Sequence, residues 1–315
     1  MAAPAKLGDL RSASPVPYTA VPMTGGTPLQ PWMTLALTHR HPRDNEIHFD
    51  EPSHIYTVQG TSKGYISVSK ILHEFFGHFD ADEVITKMMS GRNWSKSKWF
   101  GMTREEIKAA WDANGREASE AGTAMHLAIE MVMNGAEAEV PAEIHETPEW
   151  KYFWKYWNKD SQIWEPWRTE WEVWDADLKL SGSIDMVYRN RHDGSFAIYD
   201  WKRAKKMETE NSYQSGLGPL AHLPDTNFWH YSIQLNLYRW LLEKHYGVKI
   251  SKMALVVLHP NNTGPKVYPL HRMDDEVDAI LDARRRAVAA GCKKYVIFDA
   301  AAAAAAQEQR PLFED

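Results

Sequence analysis

Residues 181–206 read SGSIDMVYRNRHDGSFAIYDWKRAKK. The pattern predicts two β-strands, at about residues 183–188 and 196–201, because alternating apolar residues are bounded by turn-forming ones. Asp193-Gly194 between them is typical of a tight hairpin turn. This stretch therefore predicts an antiparallel hairpin, and the rest of the chain is interpreted around it.

The hairpin carries charged side chains where a soluble sheet rarely places them. Because side chains alternate between the faces of a strand, Asp200 and Lys202 are expected on one face and Trp201 on the other. Asp185, on the neighbouring strand, can face the same pocket. Two carboxylates hold a hard cation such as Mg²⁺, and a nearby lysine can orient or deprotonate water and stabilise charge on a phosphate. The alternative is a surface ion pair that contributes about 0–1 kcal/mol.

The composition is that of an ordinary soluble globular protein, with 43% apolar and 25% charged residues among 315. The single cysteine, Cys292, excludes an intramolecular disulfide framework and a zinc site built from cysteines. No apolar run approaches the roughly 18 residues of a membrane span. The net charge of −6 argues against indiscriminate binding of polyanions, although basic residues including Arg203 and Lys205 cluster directly after the hairpin.

The chain divides into three parts by composition. Residues 1–44 are rich in proline and glycine and predict a flexible arm. Residues 45–298 predict the folded domain, and residues 299–315 are an alanine-rich, low-complexity tail that is either helical or disordered. The N-terminus lacks the apolar core of a secretory signal, and the sequence assigns no particular cellular compartment.

The segment before the hairpin predicts a small hairpin and several helices. Residues 47–76 predict two short strands followed by a helix, and residues 82–90 predict another helix. The basic loop GRNWSKSKW at residues 91–99 either contacts nucleic acid or simply packs its tryptophans. Three aromatic residues of this segment are assigned to the core: Phe75, Phe76 and Phe79.

Residues 103–134 are strongly helical, with Thr103 as the start signal and two helices, or one broken helix, expected around Asn114-Gly115. His126 and Glu130 are four residues apart and share one face of it. Imidazole is a common ligand for divalent metals such as Mn²⁺, although a histidine on a helix is more often structural.

The remaining elements follow from periodicity. A helix at residues 148–160 carries a tryptophan stripe that is assigned to the core, and a strand at residues 169–174 leads into the hairpin. An amphipathic helix at residues 228–246 carries a polar stripe of Tyr231, Gln234 and Tyr238. The last elements are two strands and a helix, at residues 253–259, 266–270 and 274–290.

Four segments, GTAMHLAIE, SGSIDMV, IYDWKRAKK and YSIQLNLYRWLLE, occur in this order. Together they resemble the PD-(D/E)XK nuclease superfamily, and within it the RecB-like exonuclease branch, which includes the mitochondrial genome maintenance exonuclease and viral and phage recombination nucleases. In that branch a helix supplies a histidine, one strand an aspartate, the next strand an acid-x-lysine motif, and a later helix Gln-x-x-x-Tyr. The resemblance covers about residues 44–298. Two positions depart from the pattern: Ile184 replaces the proline, and Asp200 replaces the longer glutamate.

The resemblance implies an α/β fold with a restriction-endonuclease-like core, in which a central mixed β-sheet is flanked by helices. It also implies Mg²⁺ or Mn²⁺ as cofactor. Lys202, Asp185 and Asp200 are the expected catalytic residues. The expected metal ligands are His126, Asp185, Asp200 and the backbone carbonyl of Trp201. Further residues are expected to bind substrate or to support the ligands: Gln234, Tyr238, Tyr231, Glu130, Glu170, Arg203 and Lys205.

The function implied by the resemblance is a metal-dependent DNA exonuclease that acts on single-stranded DNA or DNA ends in repair, recombination or genome processing. A structure-specific or flap endonuclease on the same fold is the first alternative, because active-site residues do not report whether a free end is required. The second is a catalytically inactive module that only binds nucleic acid. DNA is thus the expected partner, with no membrane.

Overall fold

The computed structural model describes residues 33–299. It contains a six-stranded mixed β-sheet with helices on both faces, and the first two strands form a separate two-stranded sheet. The strands are β1 (Ile47–Asp50), β2 (Ile55–Val58), β3 (Ile66–Ser67), β4 (Trp164–Asp175), β5 (Leu180–Asn190), β6 (Phe196–Lys202), β7 (Ile250–Val257) and β8 (Lys266–Leu270). The α-helices are α1 (Thr34–Thr38), α2 (Val68–Leu72), α3 (Ala81–Ser90), α4 (Arg104–Met133), α5 (Ala142–His145), α6 (Pro148–Asp160), α7 (Asn227–His245) and α8 (Asp274–Ala289). Short 3₁₀ helices lie at Pro42–Glu46, Trp94–Lys96, Glu137–Glu139 and Gly218–Leu220.

Strand β5 pairs with three other strands of the six-stranded sheet. It pairs with antiparallel β4 along one edge, while its other edge is shared by parallel β3 near its start and antiparallel β6 near its end. The sheet then continues from β6 to parallel β7 and antiparallel β8. Because β3 pairs up to Ser181 and β6 pairs only from Met186, the edge of β5 between these two residues has neither strand beside it.

The alternation predicted for β6 is confirmed by its packing. Tyr199 and Trp201 belong to an apolar layer between the sheet and helices α4 and α6. Ile198 points to the opposite layer, which the sheet forms with α2, α7 and α8. Asp200 and Lys202 extend from this second face of the strand, as predicted from the period of two.

Helix α4 is continuous, so the predicted break near Gly115 is wrong. One internal glycine costs a helix only about 1 kcal/mol. The helix begins in a capping box in which Thr103 and Glu106 satisfy each other's backbone N–H groups, and its last turns are buried. The capping and the packing outweigh the cost of Gly115.

Two further differences concern the edges of the domain. Residues 33–44, assigned to the arm from composition, fold against β4: the Arg43 guanidinium lies 3.6 Å from the Trp174 ring centroid, and buried Asp44 accepts a hydrogen bond from Trp171. Phe79, assigned to the core, is 71% exposed beside Trp111, whereas Phe75 and Phe76 are buried as predicted. Residues 1–32 and 300–315, including nearly all of the predicted tail, lie outside the described residues.

Across residues 33–299, none of the helices combines the length and the apolar character needed to cross a bilayer.

Candidate metal centre

Asp185 occupies the stretch of β5 that neither β3 nor β6 pairs. The ladder between β5 and β6 ends at the pair Met186 and Tyr199. Beyond it, the Trp201 N–H donates to Oδ2 of Asp185 at 3.0 Å, so a carboxylate replaces the strand partner. The divergence of the two strands therefore positions an acid at the edge of an opening in the sheet.

Helix α4 brings His126 to this opening. Its Nδ1 lies 3.5 Å from Oδ2 of Asp185, and its Nε2 lies 2.9 Å from the Trp201 carbonyl oxygen. A carbonyl oxygen only accepts hydrogen bonds, so Nε2 carries the proton in this arrangement and, in the neutral ring, Nδ1 presents its lone pair to the acid. The imidazole contacts both hairpin strands.

Glu170 completes a three-residue group on the other side of Asp185. The ligand atoms of His126, Glu170 and Asp185 all lie within 4.8 Å of one another. Glu170 stands between Thr169, which pairs with Met186, and Trp171, which pairs with Ile184, so it lies opposite Asp185 across the strands. The sequence ranked Glu170 as a lesser candidate, but its place in the fold is next to Asp185.

The backbone at Glu170 is strained. Its φ of 42° lies in the left-handed region, which costs a non-glycine residue on the order of 1 kcal/mol or more. Its carboxylate also accepts a hydrogen bond from the Ser183 hydroxyl at 3.0 Å. Such outliers concentrate at functional sites, where the surrounding structure holds them in place.

Asp200 and Lys202 form an ion pair beside this group. The Nζ of Lys202 lies 2.6 Å from Oδ2 of Asp200, whose side chain is only 3% exposed. The ammonium also lies 4.5 Å from the centroid of the Tyr231 ring. The Asp200 carboxylate thus faces Lys202 and is not a member of the three-residue group, although it is close enough to Asp185 for their charges to interact.

The pKa values reflect crowded negative charge away from water. Burial and then the Asp185 carboxylate raise the pKa of Asp200 to about 6, against the opposing effect of Lys202. Burial also raises the pKa of Asp185. For Lys202, burial lowers the pKa, but the Asp200 and Asp185 carboxylates outweigh it and hold the pKa above its ordinary value. A bound cation would relieve the repulsion between these carboxylates.

The donor set fits a hard divalent cation. Carboxylate oxygens and a backbone carbonyl are the ligands that Mg²⁺ prefers, and an imidazole nitrogen is also accepted by Mn²⁺. Asp185, Glu170, His126 and the Trp201 carbonyl offer these donors at one place. Neighbouring ligands of an octahedral Mg²⁺ stand about 3 Å apart, since its bonds are about 2.1 Å long. The separation of 3.5 Å between the unprotonated Nδ1 of His126 and Oδ2 of Asp185 is close to that spacing.

Comparison with protein families adds an independent finding. The model of the PD-(D/E)XK nuclease superfamily matches residues 96–310, more than half of the chain. The chain belongs to the PD-(D/E)XK nuclease superfamily. Nucleases of this superfamily use divalent metal ions. No curated protein matches the chain. Among solved structures, the chain is similar to the crystal structure of SSO0001, with 15% sequence identity and a TM-score of 0.32. The match covers 75% of this chain and 80% of that chain.

Helix α7 of this PD-(D/E)XK domain borders the site from the opposite layer. Tyr238 is buried, and its hydroxyl shares a hydrogen bond with the Gln234 side chain. The Tyr238 ring approaches Gly182 so closely that a Cβ at Gly182 would lie 2.7 Å from the ring carbon Cε1. Sequence reasoning missed Gly182, although a glycine inside a strand is a signal for such close approach.

Tyr56 on β2 is a second residue that the sequence did not indicate. Burial raises the pKa of its hydroxyl, and the charges that raise it further include those of Glu170 and Asp185. The small hairpin of β1 and β2 thus contributes an aromatic side chain to the surroundings of Glu170 and Asp185. No local pattern relates residue 56 to residue 185.

Three other predicted residues lie outside the group. Arg203 points to the layer of α6, where its guanidinium contacts Glu149 at 2.7 Å and Glu117 at 3.4 Å. Lys205 is exposed beyond the end of β6. Glu130 is buried on α4, one turn beyond His126. Their predicted part in substrate binding stays a prediction.

Proposed function

We propose that this chain is a Mg²⁺- or Mn²⁺-dependent deoxyribonuclease that acts as an exonuclease on single-stranded DNA or DNA ends, in repair, recombination or genome processing. The observation that carries the proposal is the convergence of His126, Asp185 and Glu170 on one point, with the Asp200 and Lys202 ion pair beside it. Membership of the nuclease superfamily supports the type of reaction, and this arrangement of side chains supports the position of the active site in the chain.

The ligands in this proposal are His126, Asp185, Asp200 and the Trp201 carbonyl, joined by Glu170. A divalent cation bound there supplies charge neutralisation on the phosphate and a lowered pKa for bound water. Asp200, whose carboxylate pairs with Lys202 and lies close enough to Asp185 for their charges to interact, would add its negative charge to this ligand set. Its side chain is one methylene shorter than that of a glutamate, and for this reason Glu170 gains importance in the proposal.

Lys202 then contributes a fixed positive charge. Its raised pKa keeps the ammonium protonated at neutral pH in the ion-free protein, held by Asp200 and by the face of Tyr231. A preorganised ammonium stabilises negative charge that develops on a phosphate oxygen in the transition state. On this basis Lys202 orients water and stabilises charge rather than accepting a proton.

Helix α7 supplies the positioning residues in the proposal. The Tyr231 ring lies against the Lys202 ammonium and Gln234 shares a hydrogen bond with Tyr238, so the helix presents a polar stripe towards the opening. Lys205 lies exposed where β6 ends and would contact a substrate phosphate. Arg203 joins β6 to α6 and α4 through its ion pairs, and in this way it supports the strand that carries Asp200 and Lys202.

The test is an assay on end-labelled single-stranded, duplex and closed circular DNA with Mg²⁺, Mn²⁺ or EDTA. We expect wild type to shorten linear single strands with either metal, to leave circles intact and to be inactive in EDTA. Lys202→Ala should lose at least 100-fold in rate, since removal of one charge-stabilising donor costs about 10²–10³. Lys293→Ala, which removes an exposed lysine elsewhere, is the matched control.

The other outcomes identify the alternatives. Cutting of closed circles with metal present would contradict the exonuclease and favour an endonuclease. Binding of DNA without cutting of any substrate would favour an inactive binding module. An end-labelled RNA strand in the same assay tests the substrate class, and faster cutting of RNA than of DNA would contradict it.

A further inference from the structure

The segment between α3 and α4 forms a small unit with a basic groove. Lys108 on α4 donates to Asp82 of α3 at 2.6 Å, and Ile85 and Ile107 are fully buried. At the end of α3, a groove of about 420 Å³ opens. The groove is lined among others by Arg92, Trp94 and Lys96. The loop at residues 91–99 contains no acidic residue.

Aromatic rings lie exposed or half-buried around this groove. Trp94 packs edge-on against Phe100, which is 57% exposed, with ring centroids 5.8 Å apart. Trp99 contacts Trp111 of α4 at 6.2 Å and carries the Lys98 ammonium 4.4 Å above its ring. Flat aromatic faces beside cationic side chains are the two components by which proteins bind single-stranded nucleic acid.

Helix α3, which ends at the groove, packs on the side of α4 that carries His126. Lys108, which holds α3, and His126 are five helical turns apart, so their side chains leave α4 in the same direction, separated by about 27 Å. Between them this face of the helix carries Gly115 and Gly122. At both glycines the space that a Cβ would occupy is open. This face of α4 is therefore open at both glycines between Lys108 and His126, with Asp112 as an acid beside it.

We propose that this basic groove is a second contact for single-stranded nucleic acid, which binds the phosphates with Arg92 and Lys96 and stacks a base on Trp94. The inference rests on the proposed function, because the strand held there is the one whose end reaches the metal centre. At about 3.4 Å for each stacked nucleotide, the stretch of α4 between Lys108 and His126 alone corresponds to about eight nucleotides. The groove then determines how affinity depends on strand length.

The experiment measures binding of 5′-labelled oligothymidylates of 4, 8, 12 and 16 nucleotides in EDTA, where hydrolysis is not supported. For wild type we expect affinity to rise at least tenfold between 4 and 12 nucleotides. Arg92→Ala/Lys96→Ala should lose most of this gain, and its plot of log affinity against log salt should be shallower by about 1.4, since each phosphate contact contributes about 0.7 on a single strand. Trp94→Ala should lose about tenfold on the 12-mer.

The control is Lys293→Ala/Lys294→Ala, which removes the same charge at exposed lysines following α8, on the opposite layer of the sheet. It should bind like wild type. An identical length dependence in wild type and the groove variants would overturn the inference, as would absence of strand binding at every length. Hydrolysis of the 4-mer with Mn²⁺ tests the proposed nuclease separately, because the groove variants should cut it at the wild-type rate.

Discussion

Nδ1 of His126 lies 3.5 Å from Oδ2 of Asp185, although one residue is on α4 and the other on β5. If both bind a cation, His126→Ala should lower Mn²⁺ affinity at least 10–100-fold, the range seen when only a supporting contact is lost. At a metal concentration 100 times the wild-type dissociation constant, wild type should gain about 2.7 kcal/mol of stability, and the variant at most about 0.4–1.4 kcal/mol. Calorimetric titration and thermal melting measure the two effects.

The control for this prediction is His222→Ala. His222 contacts Glu276 at 3.1 Å, away from the group, so its removal should leave Mn²⁺ binding unchanged. Full metal-dependent stabilisation in His126→Ala would contradict the assignment of His126.

Two substitutions of Glu170 should separate its effect on metal binding from its effect on stability. Glu170→Gly removes the carboxylate and the strain at a φ of 42°, while Glu170→Ala removes only the carboxylate. We expect both variants to lose Mn²⁺ affinity equally, and Glu170→Gly to be more stable than Glu170→Ala by about 1 kcal/mol. Urea unfolding in EDTA and metal titration check this, and unchanged affinity in both would remove Glu170 from the site.

The contact between Gly182 and Tyr238 should make Gly182→Ala destabilising by about 1–3 kcal/mol, because the added Cβ would lie 2.7 Å from a ring carbon. Gly115→Ala is the matched control: its Cβ meets open space in a helix, so we expect stabilisation by up to about 1 kcal/mol. Adding Tyr238→Leu should relieve the clash at Gly182. Equal stability changes at the two glycines, measured by chemical unfolding, would show that the close approach does not exist.

Asp175 should contribute stability that depends on pH. It is fully buried and contacts His245 at 2.6 Å, Lys244 at 3.1 Å and the Leu178 N–H at 2.7 Å. Burial raises its pKa, but these partners outweigh burial and hold the pKa below its ordinary value. Since the folded pKa is the lower one, the stabilisation is complete above the unfolded pKa of about 3.9 and is lost as pH falls through the folded pKa.

Asp175→Asn should therefore destabilise the protein at pH 7 by about 3–5 kcal/mol, the cost of breaking a buried pair. The difference from wild type should stay constant down to about pH 5 and narrow below about pH 4. Unfolding followed by circular dichroism from pH 3.5 to 7 measures it. A difference that grows as the pH falls would contradict the depressed pKa.

Elements with strong local signals were predicted almost residue by residue. Helix α6 at Pro148–Asp160 starts with Thr147 as its cap and proline at its first position, and strand β8 at Lys266–Leu270 matches its prediction. The two hairpin strands and the faces of β6 follow from the turn at Asp193-Gly194 and from alternation. These features depend on neighbours in the chain, which a sequence displays directly.

Other features depend on contacts between distant segments. The continuity of α4 through Gly115 and the exposure of Phe79 result from how helices pack, and local pattern contains no information about that packing. The same holds for residues 33–44, which follow a proline-rich segment and are grouped with it by composition, although Asp44 is buried against β4.

By itself the sequence determined the hairpin, the side of β6 that carries Asp200 and Lys202, and the resemblance that led to the nuclease family. Only the tertiary structure decided which acids meet His126. Glu170 enters the group and Asp200 turns to Lys202, because the divergence of β5 and β6 opens the sheet at Asp185 while β4 stays paired there. Strand divergence is set by pairing across the whole sheet, so spacing along the chain does not encode it.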